Sequence, residues 1–266
     1  MMPVEIWWLG MELSFQEKDD RLADRIRANK LFADFDLSAW LGGYVSARRW
    51  RALLDLGCGN GNHLGLYLAA AADSDDRRVV GLDRDSALLA AAAQRYAGAR
   101  GLELVAGSMD DPLPFPGESF DLVNSVFAVY NAADADRTLR ELHRVLTPGG
   151  HLLLIGPTAD NARELYVYNE RLTGQRIDDR TAVRAGRLVT EFLPLVRELF
   201  AECSDELLGS YVTFPNQEEF LRYYRSTLLY EETAEGKVSD AEMTAACAAI
   251  PHLRLTKQTL VITARK

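Results

Sequence analysis

Leu54-Asp55-Leu56-Gly57-Cys58-Gly59-Asn60-Gly61 decides the fold. The short apolar run 51–56 stops at three glycines that alternate with other residues. Such a run, closed by glycine, reads as a buried strand ending in a tight turn. Residues 64–72 follow, rich in Leu and Ala, and read as a helix. A strand that passes through a glycine turn into a helix puts free backbone N–H groups, and no side chains, where a ligand can approach.

Outward from this turn the chain alternates strand and helix. Residues 78–83 predict a second strand, and 86–96 an Ala/Leu helix with Asp85 before it as N-cap. Residues 102–106 predict a third strand, followed by the proline-rich loop 111–117. A fourth strand over 120–127 leads to a helix over 134–146, which Thr147-Pro148-Gly149-Gly150 stops before a fifth strand at 151–155. Strands and helices alternating at this spacing pair in parallel through right-handed crossovers. The expectation is an α/β fold, a doubly wound, mostly parallel sheet with helices on both faces.

The pattern changes at both ends. Residues 1–50 form an N-terminal helical segment, with apolar positions Leu13, Phe15, Leu22, Ile26, Leu31 and Phe32 and a second short helix starting at Asp36 or Ser38. Residues 158–205 read as mostly helical, through 161–172 and 188–203, and are expected to form a lid inserted into the domain. The core resumes over 206–266, with strand 207–214, helix 217–229, a polar loop, helix 241–249 and strand 253–264. These make seven strands in all.

Composition narrows the function classes. The chain has 266 residues, is 48% hydrophobic and carries a formal charge of -9. That is enough apolar material for a sizeable core, and too acidic for sequence-independent docking on nucleic acid. Cys58, Cys203 and Cys247 are scattered and odd in number, and His63, His143, His151 and His252 lack ligand spacing. Neither a disulfide framework nor a metal site is expected, and a cytoplasmic location fits best. There is no apolar run of membrane-spanning length and no signal-peptide pattern at the start. Trp7 and Trp8 are expected to pack against the domain or a partner subunit, which leaves pocket closure and a homodimer contact open.

Chemistry gathers at the glycine turn. The second strand ends in Asp83, 22 residues beyond Gly61, where a carboxylate can accept hydrogen bonds from both hydroxyls of a ribose. The dehydrogenase fingerprint is GxGxxG, whereas Gly57, Gly59 and Gly61 follow GxGxG, which disfavours a nicotinamide cofactor. Leu54 to Gly61, Val79-Val80-Gly81-Leu82-Asp83, Pro112 to Val123 and Arg144-Val145-Leu146-Thr147-Pro148-Gly149-Gly150 together resemble the motifs of class I S-adenosylmethionine-dependent methyltransferases. The resemblance covers roughly residues 50–157 plus the last strand.

That resemblance implies an antiparallel last strand, S-adenosylmethionine as methyl donor, S-adenosylhomocysteine as product, and a set of residue roles. Asp55 orients the glycine loop and approaches the methionine amino group, while Gly57, Cys58, Gly59, Asn60 and Gly61 line the methionine end, with His63 nearby. Asp83 holds the ribose and Arg84 lies beside the adenine. Ser108 and Met109 stand where the family places an Asp and a small apolar residue; Ser108 departs from the pattern, and Asp110 is its alternative. Asn124, Ser125 and Phe127 end the fourth strand, where backbone carbonyls meet the methionine ammonium. The family's Asn-Pro-Pro-Tyr variant, used on planar nitrogens, is absent, so a small-molecule acceptor is expected. Tyr130, Tyr166, Arg171, Tyr211, Tyr223 and Tyr224 are the candidates for its pocket. A chain that binds the cofactor without transfer, or a protein or RNA methyltransferase, remains the alternative. No general base is assigned, because proximity to an activated methyl can suffice.

Overall fold

The computed structural model describes residues 19–72, 76–175 and 179–266. Trp7, Trp8, Leu13 and Phe15 lie outside the described residues. The elements are α1 (Asp19–Phe32), α2 (Leu37–Ser46), β1 (Ala52–Leu56), α3 (Leu64–Ala71), β2 (Arg78–Asp83), α4 (Ser86–Arg95), β3 (Leu102–Ala106), β4 (Phe120–Val126), α5 (Ala135–Val145), β5 (Leu146–Pro157), α6 (Arg163–Thr173), α7 (Asp179–Arg187), α8 (Leu193–Leu199), β6 (Glu202–Thr213), α9 (Gln217–Arg225), α10 (Leu228–Thr233), α11 (Asp240–Ala246) and β7 (Arg254–Arg265).

The seven strands form one sheet in the order β3-β2-β1-β4-β5-β7-β6. Strands β1 to β5 pair in parallel, and β7 runs antiparallel to both β5 and β6. Both faces are covered, which is why β1 is buried along its whole length and reads as a continuous apolar run. Leu54, Leu56, Val80, Val123 and Leu154 pack under α5 and residues 188–200. Their alternates Leu53, Val79, Leu122, Leu153 and Ile155 pack under α2, α3 and α4. The strand order reverses between β1 and β4, and a crevice opens there beyond the strand ends. Asp36, Asp85 and Asp134 cap α2, α4 and α5, each accepting from a backbone N–H of the first turn.

Three segments differ from the sequence reading. Residues 158–205 do not act as one lid. Leu188, Phe192, Leu193, Val196 and Phe200 present a helical stripe that packs into the sheet's own core, through a π-helical turn at Leu188–Phe192 into α8. Helix α6 packs at the end of the β6–β7 pair, where Thr256 donates to Glu164; it joins α9, α10 and α11 in a third cluster built on Tyr168, Phe214, Phe220, Tyr224 and Met243. Strand β6 begins at Glu202, five residues before the expected start, because Glu202 to Glu206 is polar edge strand without apolar alternation. The helix expected over 217–229 breaks at Ser226-Thr227. Both hydroxyls donate back to the carbonyls of Tyr223 and Tyr224, and Thr227 then caps α10.

Candidate functional site

The crevice is a cleft of about 820 Å³, a size suited to a small ligand. One wall is the turn after β1. Gly57, Gly59 and Gly61 have φ of 76°, 54° and 77°, a region that side chains resist. At Gly57 a Cβ would lie 2.3 Å from the Ala128 Cβ, so the turn fits against the end of β4 only without a side chain. The Gly57 and Cys58 N–H groups donate to the Leu82 carbonyl at 2.7 and 3.1 Å, tying the turn to β2. Gly59 N–H donates to Asp83 Oδ2 at 2.8 Å, and Asp85 N–H donates to Asp83 Oδ1 at 2.9 Å. The Asp83 carboxylate is thus held in place by backbone, and each oxygen keeps a further lone pair toward the cleft.

Beneath the turn lies Asp55, 2% exposed, whose Oδ2 has no hydrogen-bond donor. Burial, and then the negative charge of Asp83, push its carboxyl up to about 7. A buried carboxylate with an open acceptor asks for a cation or a proton. Asn124 is fully buried beside Tyr67, and Ser125 Oγ donates to the Leu56 carbonyl at 2.9 Å. His63 faces the cleft, with burial and then Lys30 lowering its pKa to about 4, so it is neutral at pH 7. Burial pushes the Cys58 thiol far up, so it is no nucleophile. Its Sγ packs where a Cβ on Gly81 would stand, 2.9 Å away.

The opposite wall comes from Gly107 to Asp110 and Val126 to Asn131. Ser108 Oγ accepts from Asp110 N–H at 3.1 Å, and Asp110 Oδ1 accepts from Ala133 N–H at 2.6 Å. Phe127 is 38% exposed, lines the cleft and has φ of 56°, a strained value for a bulky residue. Tyr130 lines it too, over Gly156, and Arg187 holds its backbone carbonyl at 2.8 Å.

Gly57, Cys58, Gly59, Asn60, His63, Asp83, Arg84, Ser108, Met109, Asp110, Phe127, Tyr130 and Tyr223 therefore meet around one space. Asp55, Gly61, Asn124 and Ser125 stand behind its wall. Tyr166, Arg171, Tyr211 and Tyr224 are elsewhere. Tyr224 is core of the helical cluster, donating to Asn169 Oδ1 at 2.5 Å; Tyr166 packs against the same cluster. Tyr211 lies under the Arg254 guanidinium, 3.3 Å from its centre, and Arg171 points to solvent. Their aromatic and charged character serves packing and surface.

The sequence reading missed the rest of the lining. Helix α1 contributes Leu22, Arg25, Ile26, Asn29 and Lys30, and the β6–β7 pair contributes Leu208, Ser210, Lys257 and Thr259. Leu22, Ile26 and Asn29 share a face at helical spacing, a signal that marks a buried side without saying what it covers. Tyr96 was also missed: its hydroxyl donates to Gly61 O at 2.8 Å and accepts from Gly65 N–H at 3.1 Å, pinning the far end of the turn.

Residues 54–154 match the sequence profile of the family described as a methyltransferase domain. That stretch is a class I methyltransferase domain. A demethylmenaquinone methyltransferase of Symbiobacterium thermophilum is 32% identical over 53% of this chain and 57% of the relative. One of Thermus thermophilus is 42% identical over 40% of this chain and 46% of the relative. The chain thus spans about half the length of these relatives. Among solved structures, YcgJ of Bacillus subtilis superposes with a TM-score of 0.60 at 16% identity, covering 86% of this chain and 97% of that one. A Bacillus halodurans protein described as a methyltransferase gives 0.59 at 20%, covering 86% and 98%. These structures share the fold. Among the described residues no group of three or more His, Cys, Asp and Glu is arranged to hold a metal ion, and no helix is long and apolar enough to cross a membrane.

Proposed function

We propose that this chain transfers a methyl group from S-adenosylmethionine to a small-molecule acceptor. The observation that carries this reading is the side-chain-free turn at Gly57, lying directly over the buried, unsatisfied Asp55 Oδ2 and joined by hydrogen bond to Asp83. That combination fits a ligand with a cationic amine at one end and a ribose further along. Gly57 to Asn60 would hold the methionine end, Asp83 the ribose hydroxyls, and Arg84, Ser108, Met109 and Asp110 the adenine.

When bound, S-adenosylmethionine supplies a methyl group already activated on sulfur. The chain's own task is then to exclude water and align an acceptor. Helix α1 and the helical cluster close the cleft from above, and Phe127 and Tyr130 supply ring surfaces at its middle. The acidic net charge and the size of the cleft favour a small acceptor over nucleic acid. The relatives' names make quinone-type rings the first acceptors to try.

The test is incubation of the purified chain with methyl-labelled S-adenosylmethionine and a panel of quinones, phenols and organic acids. Release of S-adenosylhomocysteine in step with a labelled product supports the reading. Tight cofactor binding by calorimetry without turnover on any acceptor would count against transfer.

A further inference from the structure

We propose that the acceptor end of the cleft is an anion site, built by Lys257 and Tyr223, and that the acceptor carries a carboxylate. This rests on the methyltransferase reading above. Lys257, on β7, lines the cleft with its Nζ 3.3 Å from the Tyr223 hydroxyl, to which it donates. Tyr223 is 5% exposed, so this hydroxyl is a buried polar group aimed into the cavity. Ser210 stands directly across the β6–β7 ladder from Lys257 and lines the same space.

Charge accounting favours this corner; the other unpaired ammonium of the described lining, Lys30, acts on His63 at the cofactor end. Every acid lining the cleft is committed to backbone N–H groups: Asp36 to Ala39, Asp83 to Gly59 and Asp85, Asp85 to Ala87 and Leu88, and Asp110 to Ala133. Next to Lys257 in sequence, Thr256 occupies both oxygens of Glu164, at 3.0 and 2.5 Å. Among the described residues no carboxylate is in ion-pair range of Lys257 Nζ. In a chain of net charge -9, an ammonium that lines the cleft with only a phenol for partner is free to meet an anion. The ammonium keeps two N–H donors and Tyr223 keeps its O–H, so the corner offers convergent donors and a positive charge, the requirements of a carboxylate.

The experiment is calorimetry on the full chain saturated with S-adenosylhomocysteine. Probes are matched aryl carboxylates and their primary amides: benzoate, cinnamate, 2-naphthoate and 3-hydroxy-2-naphthoate. At least one carboxylate should bind ten-fold or more tighter than its amide. Lys257→Met should shrink that ratio below two-fold while leaving S-adenosylhomocysteine affinity unchanged. Lys257→Arg should retain most of it, and Tyr223→Phe should cut it about three-fold. If S-adenosylhomocysteine binds but no carboxylate is preferred, or if Lys257→Met keeps the preference, the anion site is wrong and the cofactor reading stands. If S-adenosylhomocysteine does not bind at all, both fall.

Discussion

The two halves of the cleft are built by different means. The half beyond β1 and β2 is made by backbone: three glycines at positive φ, Leu82 O accepting from two successive N–H groups, and Asp83 clamped by two more. The half beyond β6 and β7 is made by side chains from α1, α9 and two edge-side strands far apart in the chain. Backbone hydrogen bonds fix position with little freedom; side chains on separate elements can change without disturbing the sheet. The first half is suited to a ligand that never varies and the second to one that does.

The comparison breaks most decisively at Gly57. A side chain there meets Ala128 at 2.3 Å and a φ of 76°, so Gly57→Val should abolish S-adenosylmethionine binding. It should also cost roughly 2–5 kcal/mol of stability, from strain plus overpacking. Calorimetry and thermal melts read the two separately; binding within three-fold of wild type would overturn the loop's assigned role.

Asp55 gives the next largest effect, and one with a sign. Its carboxyl is raised to about 7, so the folded, empty chain holds a proton that the unfolded chain releases near its ordinary value of 3.8. The stability from this group is therefore present below pH 4, falls as pH rises to 7 and is flat above. A cationic ligand favours the ionised form, so cofactor affinity should rise with pH up to about 7, losing up to ten-fold per unit below it. Asp55→Asn should weaken binding and flatten this profile. A wild-type affinity independent of pH between 5.5 and 8 would remove Asp55 from the site.

The same division explains what the sequence shows and what it withholds. The glycine turn, Asp83 and the Asp85 cap are contiguous with the strands that carry them, and local rules place them. Ser125 stands at the end of β4 as expected, and its hydroxyl donates across to Leu56 O, a bond that no local rule places. Tyr166 and Tyr224 stand out in the sequence for their aromatic character, yet whether a ring faces a cleft or a core depends on packing that no local pattern records. Leu188 to Phe200 shows the same thing for the fold, since a helical stripe packs as well on a sheet as on a lid. Lys257 and Leu22 meet across more than 200 residues of chain, and only the assembled topology brings them together.

Tyr96 tests how far the backbone half depends on a side chain. Tyr96→Phe removes both bonds that hold Gly61 and Gly65, and should cost about 1–2 kcal/mol of stability. Because Gly57, Cys58 and Gly59 keep their bonds to β2, cofactor affinity should fall only a few-fold. A loss as large as that of Gly57→Val would show that the turn is held from α4 and not from β2.

The smallest expected effect lies in α1, which lines both halves: Leu22 lies against Gly59 and Lys30 acts on His63, while Arg25, Ile26 and Asn29 line the same cleft. Arg21 reaches Glu231 and Glu235, both at 2.6 Å, and Arg27 pairs with Glu219 at 2.6 Å. These pairs are part-exposed and each adds little to stability, screened by salt. Arg25 adds a bond to the Ser226 carbonyl. A helix held mainly by such contacts opens at low cost, while β1 and β4 open only with the whole fold. Raising salt, or the double variant Arg21→Ala with Arg27→Ala, should speed hydrogen exchange in α1 and leave β1 unchanged. Acceptor KM and cofactor Kd should then both rise a few-fold, because Leu22 of α1 covers Gly59 and the rest of α1 lines the same cleft. A constant cofactor Kd would mean that the glycine turn is held without α1.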